Sequence, residues 1–375
     1  MHLVMYLNKN SMTRFMKKNG WNGKRIILTT ALSTIIFSLS AQESSPAHIG
    51  IIYPLSTHGT KAVNYSNTIS LHAIAGLSGG EKAFALYGVA GIVKGNVSGL
   101  QASGVFNKAA GTLRGMQLAG AINLANDASQ GYQFAGLFNQ SKERVHVQLG
   151  GLLNKAVSTT GLQAGGISNI STQLTGVQLS GLYNQSGDVH GAQIGGVINK
   201  AKHVKGVQFG LLNIADSSDY TIGLLNFVKN GEQSIRVGTD ENLSTFVSFR
   251  SGGRVLYGIL GIGFNPQYEA VRYGAEGGIG VNLLNRDHFR LAAEISSITL
   301  TDFDGHYFSK NGLRLLPSIK IGRNIYLYGG PSFNYSNTDN EDGKKLIKMK
   351  VWDRQNRKDY QALNIGFTGG LQWVL

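Results

Sequence analysis

Gly161-Leu162-Gln163-Ala164-Gly165-Gly166-Ile167-Ser168-Asn169 returns fifteen residues later as Gly176-Val177-Gln178-Leu179-Ser180-Gly181-Leu182-Tyr183-Asn184, and again as Gly191-Ala192-Gln193-Ile194-Gly195-Gly196-Val197-Ile198-Asn199. The pattern is G-x-Q-x-x-G-x-x-N. Working outward, it places Gln at 101, 117, 133, 148, 163, 178, 193 and 208, and Asn at 107, 123, 139, 154, 169, 184, 199, 213 and 226. Successive Asn are mostly 15 or 16 apart, and the interval shortens toward the carboxyl end. Weaker copies surround Gly76 and Gly91, so the tract covers residues 70–228, inside a Pro-free span from Pro54 to Pro266.

A fixed period of this length is the signature of a repeat architecture. A finer five-residue rhythm runs through Leu179, Asn184, Val189, Ile194, Asn199, Val204 and Phe209. It predicts three short sides per turn of a narrow β-solenoid, with Leu or Ile, Asn and Val turned inward. In-register stacking explains the sequence economy, because Asn and Gln side chains hydrogen-bond to their copies about 4.8 Å away and Gly fits tight corners. About ten such turns make a rod of roughly 50 Å. The competing reading makes each repeat one strand of an up-and-down barrel. Barrel strands alternate in direction, so their natural period would span two strands, whereas this motif keeps one sense throughout. The solenoid is therefore the expected form.

From about Ile235 the repeat gives way to period-two alternation. Tyr273, Ala275, Gly277, Ile279, Val281 and Leu283 share one face, and Gly274, Glu276, Gly278, Gly280 and Asn282 the other. Phe289, Leu291, Ala293 and Ile295 likewise oppose Arg290 and Glu294; Leu313, Leu315, Ile319 and Ile321 oppose Arg314, Ser318 and Lys320. Apolar outside with small, polar and ionisable groups inside is the transmembrane-barrel pattern. Strands are expected at 243–250, 254–265, 272–285, 289–301, 313–322, 325–337 and 362–375. Their links alternate short (251–253, 286–288, 323–324) with longer (266–271, 302–312, 338–361). The closing face Ile365, Phe367, Gly369, Leu371, Trp373 and Leu375 resembles the carboxyl-terminal signal read by outer-membrane assembly machinery, although it ends in Leu and not in an aromatic residue. Strand parity decides where the repeats lie. Eight strands after the repeat leave it on the periplasmic side; seven place it outside and require a strand from before the repeat, for which residues 49–55 are the candidate. Residues 234–239 are the candidate eighth strand.

Composition agrees with this division. The 375 residues include 51 Gly, 5 Pro and no Cys, which excludes collagen, disulfide scaffolds and thiolate metal sites. Only 15% of residues are charged, so much of the surface is uncharged or lies outside water. Residues 1–41 read as a signal peptide: six basic residues (Lys9, Arg14, Lys17, Lys18, Lys24, Arg25) and no acidic one, an apolar segment over 26–39, then Ser40 and Ala41. Met12 and Met16 are alternative starts. Losing those six charges takes the formal net charge from +14 to +8, which removes most of the case for nucleic acid as a partner. No other apolar run reaches the roughly 18 residues of a transmembrane helix. Residues 42–69 are expected as an amino-terminal strand and linker, and residues 229–375 as the barrel-like region.

Tyr53-Pro54-Leu55-Ser56, the tandem G-x-Q-x-x-G-x-x-N tract and the barrel-like tail with Trp373 together resemble the surface repeat-containing proteins of Gram-negative outer membranes. The resemblance implies an envelope location and no known catalytic activity. It carries over no catalytic, cofactor or metal-binding residue.

Chemistry-bearing motifs are weak. Gly76-Leu77-Ser78-Gly79-Gly80 matches a nucleophile-elbow pattern, but in repeat phase and without a His and Asp partner. Gly258-Ile259-Leu260-Gly261-Ile262-Gly263 is followed by no helix that could bind a phosphate. His146, His190 and His203 fall at repeat corners. Asp302-Phe303-Asp304-Gly305 and Asp339-Asn340-Glu341-Asp342-Gly343 lack calcium-loop spacing and read as acidic turns. Lys344-Lys345-Leu346-Ile347-Lys348-Met349-Lys350 is a basic run in the longest outer loop, open to anionic partners such as lipopolysaccharide phosphates but more simply a solvated loop. Glu276, Arg290, Glu294, Arg314 and Lys320 are expected to pair inside a narrow lumen.

The expectation is thus an all-β, non-catalytic outer-membrane protein: a repeat solenoid followed by an antiparallel barrel. Its role would be structural or adhesive, its partners outer-membrane lipid and an unidentified envelope or cell-surface component. The alternative is a transport barrel in which the repeats are themselves strands.

Overall fold

The computed structural model describes residues 42–356 and 359–375. The expected signal peptide lies outside the described residues. The remainder is all-β: a β-solenoid of about 11 turns followed by a closed antiparallel barrel of eight strands.

From strand Tyr65–Ser78 onward the solenoid strands pair in parallel with their copies in the neighbouring turns. Asn169 lies opposite Asn184, and Asn184 opposite Asn199. Consecutive antiparallel repeats are absent from the described residues, so the reading of the repeats as barrel strands is overturned. One turn consists of a long strand such as Asp188–Gly195, a Gly-Gly corner, a short strand such as Ile198–Lys200, and a polar return to His203–Phe209. Asn184 Nδ2 donates to Asn199 Oδ1 at 3.0 Å and to the Ile194 carbonyl at 2.9 Å, and Gln193 Nε2 donates to Gln178 Oε1 at 2.9 Å. The same bonds recur through the tract and satisfy the buried amides except at the ladder ends, where Asn107 Oδ1 and Gln208 Oε1 have no partner.

The five-residue rhythm misassigned one inner row. Leu179, Ile194 and Phe209 are exposed, and the buried neighbours are Gln178, Gln193 and Gln208. The long strand follows strict alternation, so Val189 and Gln193 point in while His190 and Ile194 point out; the corner then resets the phase before Asn199. Inward side chains therefore come at unequal steps. The interior is filled by the two amide ladders and a row of small residues around Leu174, Val189, Ala201, Val204 and Ala215.

Residues 49–55 do not close the barrel. They belong to strand Glu43–Ile52 and the short strand Leu55–Ser56, which pair antiparallel and join the solenoid sheet at its first turn. Of the expected linker, residues 59–64 form a 3-10 turn and the rest leads into strand Tyr65–Ser78, the first full side of the rod. The barrel closes through Glu232–Asp240, which includes the candidate residues 234–239 and pairs antiparallel with the last strand, Tyr360–Val374. Its sequence alternates Ser234 and Arg236 inward with Ile235 and Val237 outward. The strand expected at 313–322 begins earlier, as Tyr307–Lys320, because Phe308 and Lys310 find buried partners inside the barrel. The loop before it shrinks accordingly to 302–306.

The rod joins the barrel by continuing its own stack. Asn226 is the last rung of the ladder, and its Nδ2 donates to the Ser251 carbonyl at 2.9 Å, near the end of the second barrel strand, Thr245–Gly252. The Val255 amide donates to the Asp219 carbonyl at 3.3 Å, and Arg254 grips the Asp219 carboxylate with Nε at 2.7 Å and Nη2 at 3.1 Å. A barrel hairpin thus occupies the place of the next coil.

Candidate functional site

Two features could carry function: the barrel lumen and the long apolar side of the rod.

In the lumen, Glu294 is wholly buried and accepts four hydrogen bonds: from Arg236 Nη1 at 2.8 Å, Arg250 Nε at 3.0 Å and Nη2 at 3.2 Å, and Tyr257 OH at 2.8 Å. Arg236 also donates to Gln372 at 2.8 Å and lies 4.7 Å over the Tyr328 ring. Arg314 pairs with Glu276 at 2.5 Å and stands 4.0 Å from Glu294. Three of the five residues expected in this network, Glu276, Glu294 and Arg314, meet there. Arg290 pairs instead with Glu232 at 2.8 Å, near the short-turn end, and Lys320 has no ion pair among the described residues. Sequence reasoning missed Arg236 and Arg250; each is a lone cation at an inward position, between Ile235 and Val237 or after Phe249. The spaces left in the lumen are about 20 Å³ each, room for little more than one water. Toward the long loops an apolar cluster of Phe246, Ile298, Leu300, Phe308, Leu346 and Ile347 closes the interior. Among the described residues the lumen is a packed core with no passage of channel size.

On the rod, outward residues sort by side. Leu137, Leu152, Ile167, Leu182, Val197 and Leu211 form one exposed row just past the Gly corner; Leu149, Leu179, Ile194 and Phe209 belong to a second just before it. The corner between them has no side chains. A Cβ on Gly166, Gly181 or Gly196 would lie 2.2 to 2.4 Å from the carbonyl oxygen of the Gly one turn earlier, so only Gly permits the stacking. The second row, with Leu71, Leu86, Leu118 and Phe134 earlier in the rod, and the corner glycines line an apolar groove of about 1230 Å³ over the amino-terminal half of the rod. The opposite corner is polar, with Lys142, Lys202, Asp216 and Lys229.

At the amino-terminal end, the groove meets a polar cluster. His48 stacks on His58 at 4.7 Å and meets the edge of His72 at 4.4 Å; His72 stacks on Tyr87 at 5.4 Å. Beneath them Glu81 is buried, accepting from Ser70 Oγ at 2.8 Å and Tyr87 OH at 3.2 Å. Among the described residues no group of three His, Cys, Asp or Glu is arranged to hold a metal. Burial, together with the neighbouring His72 and His58, lowers the His48 pKa to about 4, and burial lowers that of His72 as well. Burial raises that of Glu81.

The sign of the resulting pH dependence is fixed. A His whose folded pKa lies below its ordinary 6.5 binds protons better when unfolded, so its contribution is intact above about pH 6.5 and is lost as pH falls toward 4. Glu81, raised from 4.5, opposes this at the acid end of that window. Hydrogen exchange corrected for intrinsic rates is therefore expected to show residues 45–87 losing protection between pH 7.5 and pH 5.5 while residues 150–200 do not. Equal change in both segments would contradict the assignment.

The motifs singled out in sequence fall apart as sites. Ser78 lies buried in the first side of the rod, and Gly258–Gly263 is part of barrel strand Leu256–Phe264. His203 pairs with Asp188 at 2.9 Å on the solvated corner. The basic run is largely paired, Lys344 with Glu341 at 2.5 Å, Lys345 with Asp342 at 2.9 Å and Lys350 with Asp353 at 3.8 Å. By architecture the chain is a filled eight-stranded barrel carrying a parallel β-solenoid. No family model, curated protein or solved structure matches it.

Proposed function

We propose that this is a non-catalytic outer-membrane protein of the surface repeat-containing kind, with the barrel as membrane anchor and the rod as a structural or interaction surface in the periplasm. The observation that carries the reading is the barrel's inverted polarity. Ionic groups fill its inside, while Ile262, Ile295, Leu313, Phe333 and Phe367 stand exposed on its outside. A soluble barrel would gain nothing from exposing that belt. Phe264, Tyr273 and Tyr335 rim the belt near the long loops, and Phe289 and Trp373 near the short turns, as aromatic girdles do. From Ile325 to Tyr335 the outward row runs about 33 Å along the strand, which at a tilt of 35–45° is about 23–27 Å of height, matching the usual apolar band.

The periplasmic side is favoured by chain direction. Eight strands follow the rod, and the rod enters at the end that carries the chain terminus and the short turns 253–255, 286–288 and 321–324; the longer 265–272 and 339–359 lie at the other end. Barrels of this class keep short turns in the periplasm. Protease applied to intact Gram-negative cells expressing the full chain is expected to cut only within 265–272, 302–306 or 339–359, and to cleave residues 70–228 only after the outer membrane is opened. Repeat fragments released from intact cells would overturn this placement. The packed lumen argues against the transport alternative, and the expected conductance of the reconstituted protein is none above background.

A further inference from the structure

Among the described residues nothing covers the rod's apolar side, and its floor leads to a definite place. The row of corner glycines does not end with the repeat: a Cβ on Gly223 would lie 2.1 Å from the Gly210 carbonyl oxygen, and one on Gly258, in the third barrel strand, 1.9 Å from that of Gly223. Gly258 alternates with the inward Tyr257 and Ile259, so the row of glycines ends on the barrel's outer wall, beneath the rod's last turn. There the Leu224 side chain reaches over the next strand, at 3.9 Å from where a Cβ of Gly277 would be. The apolar walls of the groove and the apolar belt of the barrel thus form one continuous surface.

We propose that this groove takes the acyl chains of lipid from the bilayer that holds the barrel, making the rod a lipid-binding surface. The proposal rests on the anchor reading above. Three observations select the occupant. A bound peptide would need partners for its backbone, yet the corner backbone is already bonded from turn to turn: the Ile198 amide donates to the Leu182 carbonyl at 2.8 Å and the Leu212 amide to Val197 at 2.8 Å. A hydrocarbon chain needs no such partners. Second, the tract carries ten basic residues against six acidic ones, and Lys155 and Lys200 on one flank with Arg114 and Lys205 on the other suit lipid phosphates. Third, at the far end of the groove His72 is only 5% exposed and both its ring nitrogens lack a hydrogen-bond partner. A buried imidazole left so is a polar stop for the carbonyl or headgroup end of a chain.

The test uses the absence of cysteine from the chain, so that one introduced thiol is labelled alone. Leu86→Cys and Leu179→Cys place a bimane on the groove wall, Leu371→Cys on the barrel's outer face, and Lys202→Cys on the polar corner. All four positions are exposed, so the ladder is left intact. The full chain is reconstituted in vesicles of phosphatidylethanolamine and phosphatidylglycerol brominated in their acyl chains. Quenching at 86 and 179 comparable to that at 371, with little at 202, is the expected result. Quenching at 371 alone would overturn the lipid groove and leave the anchor standing, as when a second rod or another protein covers that face. Quenching as strong at 202 as at 86 would overturn the groove as a distinct site. No quenching at 371 would overturn the anchor reading itself.

Discussion

Glu294→Ala is expected to lower the stability of the folded barrel by about 3–5 kcal/mol, the penalty for removing one partner of a buried charge group. The size follows from what remains behind. Arg236 and Arg250 are each about 4% exposed, and both direct a guanidinium at the Glu294 carboxylate from adjacent paired strands across the lumen. Without it, Arg236 keeps Gln372 and the face of Tyr328, and Arg250 keeps Ser248, but neither retains a counter-ion in direct contact. The Glu276 carboxylate is already held by Arg314. Glu294→Gln preserves the volume and one acceptor, so its loss should be smaller. Leu313→Ala, on the outward face, removes apolar area that faces lipid and should move stability by under about 1 kcal/mol. Urea titration of the reconstituted protein, read by the gel mobility of folded against unfolded barrel, separates the three. Glu294→Ala within 1 kcal/mol of the parent would mean that the lumen is wetter and looser than its geometry. Conductance should not appear in any of these variants, since the apolar cluster beneath the long loops still closes the interior.

Much of this architecture could be read from the chain, for reasons that differ by region. An Asn recurring at one spacing and in one sense, as Asn169, Asn184 and Asn199 do, has few uses besides an in-register ladder, so the parallel solenoid was legible. What the pattern could not distinguish was whether Ile194 or Gln193 faces inward. Hydrophobicity favours Ile194, but inside a coil this narrow each Gln bonds to its copy above and below, and that repays burial of the amide while Ile194 contributes to an outer apolar surface. The amino-terminal strand was misplaced for a related reason. Residues 49–55 look like a barrel strand because Ile49, Ile51 and Leu55 are apolar, yet these residues are exposed in the first turn, where they extend the same apolar side. The first barrel strand was only half legible because Arg236 interrupts it; its partner, Glu294, lies 58 residues away. Candidate sites fared worse. The groove is built from side chains that sequence assigned to the core, and its floor is built from their absence.

The second large effect concerns the ladder. Asn184→Ala removes an acceptor from Asn169 Nδ2 and donors from Asn199 Oδ1 and the Ile194 carbonyl, at 3.0, 3.0 and 2.9 Å. Asn169 keeps its bond to the Leu179 carbonyl, so the unmet groups are chiefly acceptors, and the loss should be about 2–5 kcal/mol. Asn184→Asp keeps the shape and should cost more, because a carboxylate placed against the Asn199 and Ile194 oxygens sets acceptor against acceptor in a dry interior. How the damage spreads depends on the kind of architecture. In a rod each turn touches only its neighbours, so a weak interface divides it in two instead of lowering one global stability. The half nearest the barrel remains tied through Asn226, Ser251 and the Arg254–Asp219 pair, whereas the distal half has no other anchor among the described residues. Limited proteolysis of reconstituted Asn184→Ala should therefore cut near the middle turns and leave a barrel-attached fragment that starts beyond residue 184. Asn107→Ala, at the first rung, removes donors to the Leu118 carbonyl and Asn123 Oδ1 but no acceptor in use, and should fray only the turns before it and leave a longer fragment. Lys200→Ala, on the exposed side of the same coil, should behave as the parent. If Asn184→Ala resists cleavage as well as Lys200→Ala does, the amide ladder contributes little to cohesion, and turn-to-turn backbone bonding with the small-residue row must suffice to hold the rod together.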